Sequence, residues 1–185
     1  MELIKFQILI ILVKLNNMVT GIYAGHFDPI TLGHLDIIFR SQSFCDNLIV
    51  AIGHNSNKKP FFSRSIRLDL IKKSLNEFKN KLNSNFTIEV TSFEGLLIDF
   101  AQYLKADILI RGIRSVSDFE YEINLAGINK TLCPKLETVF LPTSPDLAVV
   151  SSSMVKEIAK HGADVSKFVS SSVNNAIIEY NVSGT

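Results

Sequence analysis

The stretch GHFDPITLGH, residues 25–34, follows directly on the short apolar run VTGIYA, residues 19–24. An apolar run of that length reads as a strand, and a turn bearing Gly25, Pro29 and Gly33 that passes into an apolar-periodic segment reads as a strand-to-helix junction. The first N–H groups of a helix have no partner within it, so such a junction aims donors at one point and favours an anion there. This turn is a candidate phosphate site.

The same alternation continues along the chain. NLIVAIG (47–53) precedes helical spacing over about 64–78, FTIEVTS (86–92) precedes a helix from about 95, and ADILI (106–110) precedes one over about 116–130. ETVFL (137–141) is followed by helices from about 153 and 172. Strands separated by helices predict a single-domain, Rossmann-like α/β fold: a doubly wound, parallel five-stranded sheet with helices on both faces. Leu97, Phe100, Ala101 and Leu104 recur at helical spacing, as do Val173, Ala176, Ile177 and Tyr180, and both stripes read as core. The polar stretch KNKLNSN (79–85) reads as an exposed connection. Internal repeats, a linker and a second domain are not evident.

Composition narrows the function classes. The 185 residues are 46% hydrophobic and 20% charged, with a formal net charge of +1. That balance supplies no bulk field for nucleic acid or for an anionic membrane surface, so an anionic ligand must be met by a local cluster and is expected to be small. Cys45 and Cys133 are too few for a zinc set or a disulfide framework and read as reduced thiols, which fits a cytoplasmic protein. His26, His34, His54 and His161 form no HExxH pattern. The apolar run FQILIILV near the amino terminus superficially resembles a secretory signal, but it is too short to span a bilayer and lacks a small-residue cleavage site. Residues 1–17 therefore read as an extension ahead of a domain over 18–185, with Met18 as the functional start; an extra helix or strand and a targeting segment are the alternatives.

In open α/β sheets ligands bind beyond the carboxyl ends of the strands. Those ends carry GHFDPITLGH, HNSNKKP (54–60), RGIR (111–114) and the segment PTSPDLAVVSSS (142–153). Taken singly, a lysine pair reads as surface, RGIR as a turn and SSS as a helix cap. Together they bring lysines, arginines, histidines and a serine run to one rim, a constellation suited to a polyphosphate. Neither GxxxxGK[ST] nor GxGxxG occurs, which argues against a P-loop kinase and a dinucleotide dehydrogenase. Cations and backbone donors without a nucleophile set suit transfer at phosphorus, where catalysis is mainly positioning and electrostatic stabilisation.

TLGH (31–34) resembles the [HT]xGH signature of the nucleotidyltransferase superfamily. GHFDPITLGH, NKKPFFS (57–63), LIRGIRSVSDFEYEINLAGINK (109–130) and VVSSSMVKEIAKH (149–161) are similar to the phosphopantetheine adenylyltransferase family in particular. The resemblance implies adenylyl transfer from ATP to 4'-phosphopantetheine, giving dephospho-CoA and pyrophosphate. It implies that His34 stabilises charge on the α-phosphate, with Lys58 and Arg111 holding the acceptor phosphate and the reacting centre, and Leu97 lining the pantetheine side. ATP contacts fall by resemblance on His26, Phe27, His34, Gly112, Ile113, Arg114 and Glu122, and on the loop Leu147, Ala148, Val149, Val150, Ser151, Ser152 and Ser153. Mg²⁺ would be carried chiefly by the nucleotide phosphates. A homohexamer and feedback by CoA are further expectations of the resemblance. One departure stands out: His26 occupies a position where the family carries Thr or Ser against the acceptor phosphate. The alternatives are another small-molecule nucleotidyltransferase of the superfamily and a non-catalytic nucleotide or CoA sensor.

Overall fold

The computed structural model describes residues 18–54 and 60–183. The amino-terminal extension, residues 1–17, and Lys58 lie outside the described residues. Five strands, β1 (Thr20–Gly25), β2 (Asn47–Gly53), β3 (Thr87–Phe93), β4 (Ile108–Ile113) and β5 (Glu137–Pro142), form one sheet in the order β3-β2-β1-β4-β5. Every pairing is parallel, with Gly25 opposite Ile52 and Tyr23 opposite Ile110. The helices are α1 (Leu32–Ser41), α2 (Arg64–Glu77), α3 (Leu97–Tyr103), α4 (Val116–Leu132), α5 (Ser152–Lys160) and α6 (Ser171–Ser183). This is the single-domain α/β architecture expected from the sequence.

Strand periodicity divides the apolar side chains between two layers. Tyr23, Val50, Ile52 and Ile110 face a core shared with Ile38 of α1, Ile71 of α2 and Val173 of α6. Their alternates Ile22, Ala24, Ala51 and Leu109 face a second core with Ile98 and Ala101 of α3. Successive strand side chains point to opposite faces, so a strand covered on both sides carries an uninterrupted buried run, as β1 and β2 do between their end residues. Each fully buried Ile or Leu contributes roughly 1.5–3 kcal/mol.

Three expectations need adjustment. The strand read as ending at Ile110 runs on to Ile113, because β5 offers Phe140 and Leu141 as parallel partners to Arg111 and Gly112. Residues expected in a turn thus stand on a rigid strand. The helix expected from about residue 95 begins at Leu97, behind Gly95 at φ +83, a conformation that glycine adopts without a Cβ clash. In the stripe of α6, Val173 and Ile177 are buried, whereas Tyr180 is 47% exposed and lies against Phe61, with ring centroids 4.3 Å apart. No helix among the described residues is long and apolar enough to cross a membrane.

The strand order positions the site. From β1 the chain builds outward through β2 to the edge strand β3, then returns to lay β4 on the other side of β1. The connections after β1 and β4 therefore leave the sheet in opposite directions, opening a crevice above their carboxyl ends. The candidate phosphate turn and the RGI segment meet there.

Candidate active site

A cavity of about 290 Å³ opens at this switch point. The end of β1 supplies Tyr23 and Phe27, the first turns of α1 supply Thr31, His34 and Ile37, and β4 supplies Arg111 and Gly112. Val150 and Ser151 to Ser153 close the opposite wall.

Helix α1 starts at this cavity because Thr31 caps it. The Thr31 side chain accepts the His34 N–H at 3.4 Å, and His34 Nδ1 accepts the Thr31 N–H at 3.0 Å, a reciprocal capping box with histidine in the place usually taken by Glu or Gln. The Thr31 hydroxyl lies 2.9 Å from the same Nδ1. A nitrogen that accepts a backbone N–H carries no proton, so the neutral ring holds its proton on Nε2. Burial, helped by the positive charge of Arg114, pushes the His34 pKa from 6.5 down to about 4. At neutral pH the site therefore contains an uncharged imidazole that donates through Nε2.

Aromatic packing fixes the other side of that ring. Phe27 meets His34 edge-on at 5.1 Å and Tyr23 at 5.3 Å, and it is only 2% exposed. Phe27 holds φ at +45, a left-handed conformation that costs energy for a residue with a Cβ and that clusters at functional sites. Two buried charged groups brace the turn. Asp28 accepts the N–H groups of Phe61 at 2.8 Å and Phe62 at 2.9 Å, with Lys156 Nζ at 3.4 Å. Arg67 donates to the His26 carbonyl at 2.7 Å, while its buried Nε lacks a partner among the described residues. Burial lowers the Arg67 pKa against the opposing pull of Asp28.

Arg111 stands on β4 with its guanidinium already organised. Nε donates to Glu122 Oε2 at 2.7 Å, NH2 donates to Glu122 Oε1, and NH1 donates to the Ala24 carbonyl at 2.8 Å. Burial opposes the charge, but the bonds and charge of Glu122 outweigh it and raise the Arg111 pKa above its usual value. Arg114 makes a similar fork one turn nearer the start of α4, with Asp118 Oδ2 at 3.1 Å and Oδ1 at 3.4 Å. Among the described residues, Glu122 and Ala24 engage three of the five N–H donors on Arg111, and two remain for a ligand.

A second helix begins at the cavity. Ser151 caps α5 by accepting the Met154 N–H at 3.1 Å, and the Ser152 hydroxyl donates to the Pro29 carbonyl at 2.8 Å, tying α5 to the GHFDP turn. Two helix amino termini, two arginines and a neutral imidazole donor around one cavity can hold several phosphate oxygens and stabilise charge that develops on one of them.

Among the residues singled out from sequence, Phe27, His34, Arg111, Gly112, Arg114, Glu122, Val150, Ser151, Ser152 and Ser153 line this cavity. His26, Ile113, Leu147, Ala148 and Val149 are their chain neighbours but fall outside the lining. Leu97 lies at the start of α3, past the edge strand β3, where it packs against the second core. Sequence reasoning missed the lining positions Tyr23, Ala24, Ile37, Asp118 and Thr143. Asp118 had a signal in the Ser-x-x-Asp spacing from Ser115, whose hydroxyl accepts the Asp118 N–H at 3.2 Å. Tyr23 and Ile37 look like core residues in any apolar pattern, and both are buried.

Comparison with known proteins shows the family of the chain. The family model described as cytidylyltransferase-like matches residues 22–158. The chain is 47% identical over 161 residues to the phosphopantetheine adenylyltransferase of Wolbachia pipientis wMel, covering 87% of this chain and 92% of the relative. It is 48% identical over 152 residues to the enzyme of the same name from Alkaliphilus metalliredigens, covering 82% and 92%. Among solved structures, a putative nicotinate-nucleotide adenylyltransferase from Vibrio parahaemolyticus aligns with TM-score 0.60 at 18% identity, covering 90% of this chain and 93% of that one. The Plasmodium falciparum nicotinic acid mononucleotide adenylyltransferase complexed with NaAD aligns with TM-score 0.56 at 18% identity, covering 89% and 97%. These two likenesses concern the fold.

Proposed function

The chain belongs to the phosphopantetheine adenylyltransferase family, and from that membership we infer that it transfers the adenylyl group of ATP to the phosphate of 4'-phosphopantetheine. The products are dephospho-CoA and pyrophosphate, a step of coenzyme A biosynthesis. An oxygen of the acceptor phosphate attacks the α-phosphorus of ATP, a new P–O bond forms, and the bond from the α-phosphorus to the bridging oxygen breaks so that pyrophosphate leaves with the electron pair. The acceptor phosphate is its own nucleophile, so the protein has only to align two anions and stabilise the charge on the α-phosphate.

The observation that carries the mechanism is the His34 ring pinned through Nδ1 by the Thr31 N–H, which leaves Nε2 to donate. In our reading it donates to the α-phosphate oxyanion, an interaction typically worth about 3 kcal/mol in the transition state. Arg111 meets the acceptor phosphate with the donors that Glu122 and Ala24 leave open, and Lys58 acts on the same phosphate. Arg114 and the 147–153 segment with the α5 amino terminus hold the nucleotide phosphates. Leu97 serves the pantetheine arm. His26 stands where a hydroxyl would meet the acceptor phosphate, and the Arg67 bond to its carbonyl supports a fixed orientation of that turn. Mg²⁺ would enter with the nucleotide phosphates, since Asp118 and Glu122, the carboxylates in the cavity lining, are each engaged by an arginine.

A homohexamer, feedback by CoA and a cytoplasmic location belong to the same proposal. Self-association is supported by α4, every residue of which is at least partly exposed, with Val116 at 75%, Tyr121 at 63%, Ile128 at 56% and Leu132 at 54%. A helix with that much apolar surface fits a contact with another copy.

The test of the function is pyrophosphate release by the purified protein with Mg-ATP and 4'-phosphopantetheine, with nicotinate mononucleotide and glycerol phosphate as parallel acceptors. Release with the pantetheine substrate alone is the expected result. Silence with every acceptor, from folded protein that still binds ATP, would overturn it in favour of a nucleotide sensor and make His26→Thr the next variant.

A further inference from the structure

The wall of the cavity formed by residues 150–153 follows a turn that is bonded to the helix bearing His34. Asp36, two residues beyond His34 on α1, has a side chain that is 14% exposed, and it accepts three donors. Ser144 gives its N–H at 3.1 Å and its hydroxyl at 2.9 Å, and Arg40 NH1 gives a third bond at 3.1 Å. The same Arg40 NH1 donates to the Pro142 carbonyl at 2.6 Å. One carboxylate and one guanidinium, a turn apart on α1, thus hold the chain on both sides of Thr143, which itself lines the cavity.

From Ser144 the hydrogen bonds run on into the wall. The Leu147 N–H donates to the Ser144 carbonyl at 2.8 Å, and the Val150 N–H donates to the Leu147 carbonyl at 3.0 Å. Val150 is 3% exposed and adjoins Ser151, the cap of α5. The Leu147 carbonyl also approaches the start of α1, lying 3.6 Å from where a Cβ on Gly33 would stand. The height of this segment over His34 is therefore fixed at its Ser144 end by bonds to α1.

We propose that Asp36, assisted by Arg40, is a positioning residue for nucleotide binding, setting the 147–153 segment against the helix that carries His34. Asp36 touches no substrate; it acts through Ser144. The proposal rests on the reading of 147–153 as a nucleotide contact. A partly buried carboxylate that satisfies three donors is a stronger tether than its neutral amide, because charge-assisted bonds are the stronger kind and an amide cannot accept equally at both ends.

The experiment compares steady-state kinetics of the full chain and its Asp36→Asn, Ser144→Ala and Ser153→Ala variants, with melting temperatures alongside. Asp36→Asn is expected to raise KM for Mg-ATP by about fivefold or more, the loss of one charge-assisted hydrogen bond, with KM for 4'-phosphopantetheine little changed. Ser144→Ala, which keeps the ion pair and loses only the hydroxyl bond, is expected to shift the same constant in the same direction by less, and it carries the test if Asp36→Asn folds poorly. Equal rises in both KM values, or a tenfold fall in turnover with KM for Mg-ATP unchanged, would overturn the proposal, since either describes general damage to α1. If Ser153→Ala raises KM for Mg-ATP and neither Asp36→Asn nor Ser144→Ala does, the tether alone is wrong. If Ser153→Ala also leaves it unchanged, the segment is no nucleotide contact and both readings fall.

Discussion

The Thr31 N–H donates to His34 Nδ1 at 3.0 Å, so a helix cap decides which nitrogen of the ring carries the proton. The cap and the burial act in the same direction. Protonating Nδ1 would break the capping bond, and placing a cation in this cavity would set it beside Arg114, which together with burial accounts for a pKa near 4. We expect the His34 imidazole to keep its neutral, Nε2-protonated signature in ¹⁵N NMR from pH 8 down to about 5, with the resonance identified by its loss in His34→Gln. A midpoint near 6.5 would contradict the assignment. The unfolded ring takes up a proton near 6.5 and the folded one near 4. The His34 contribution to folding is thus complete above 6.5 and declines as pH falls from there toward 4.

Removing the ring tests its part in the chemistry. The charge that His34 is proposed to meet develops in the transition state, so His34→Ala should lower turnover by on the order of 10² to 10³ while ATP affinity stays near that of the wild type. Single-turnover rates and equilibrium ATP binding measure the two separately. Turnover within threefold of wild type would remove His34 from the reaction, and a parallel loss of ATP affinity would make it a binding residue.

Arg111 and Glu122 are coupled by two bonds in a largely buried setting, with side-chain exposures of 24% and 12%. Breaking such a pair from one side leaves the other charge uncompensated, whereas removing both does not. Arg111→Ala should raise KM for 4'-phosphopantetheine, and Glu122→Ala should do so as well by releasing the guanidinium. The double variant should then fall short of the sum by about 1–3 kcal/mol in kcat/KM. Additive effects would mean that Glu122 and Arg111 serve the reaction independently.

The extent to which these features could be read in advance follows from how local their causes are. The central strands β1 and β2 announced themselves because a strand buried on both faces carries an apolar run, as the LIVAI of NLIVAIG does. The place of His34 at the cavity was legible because it depends on a turn and a helix start only a few residues away. Arg111 to Ile113 looked like a turn because the partner that keeps them extended is β5, about thirty residues later in the chain, and a pairing at that distance leaves no local trace. Asp36 and Ser144 are separated by 108 residues, and neither belongs to a pattern that singles it out. Arg67 gave no signal either: a basic residue on a helix is ordinarily solvated, yet this one is 4% exposed beneath the candidate phosphate turn.

Gly112 offers a test of how rigidly β4 and α1 are set against each other. A Cβ on Gly112 would lie 3.0 Å from Ile37 Cγ1 and 3.4 Å from its Cδ1, and Ile37, at 1% exposure, has little room to retreat. Ile37 is one turn beyond His34 on α1, so displacing it moves the helix that holds the imidazole relative to the strand that holds Arg111. Gly112→Ala should cost about 1–3 kcal/mol of stability, as overpacking a closed core does. It should also lower turnover, because small misplacements between reacting groups are expensive. The cause is separable from any general intolerance of β4: in an Ile37→Ala background the added methyl meets a vacated space, and the further cost of Gly112→Ala should fall within about 0.5 kcal/mol of zero. Denaturant unfolding of the four proteins measures that cycle. A full additional loss in the Ile37→Ala background would mean that the glycine is needed by the strand itself and not by its contact with α1.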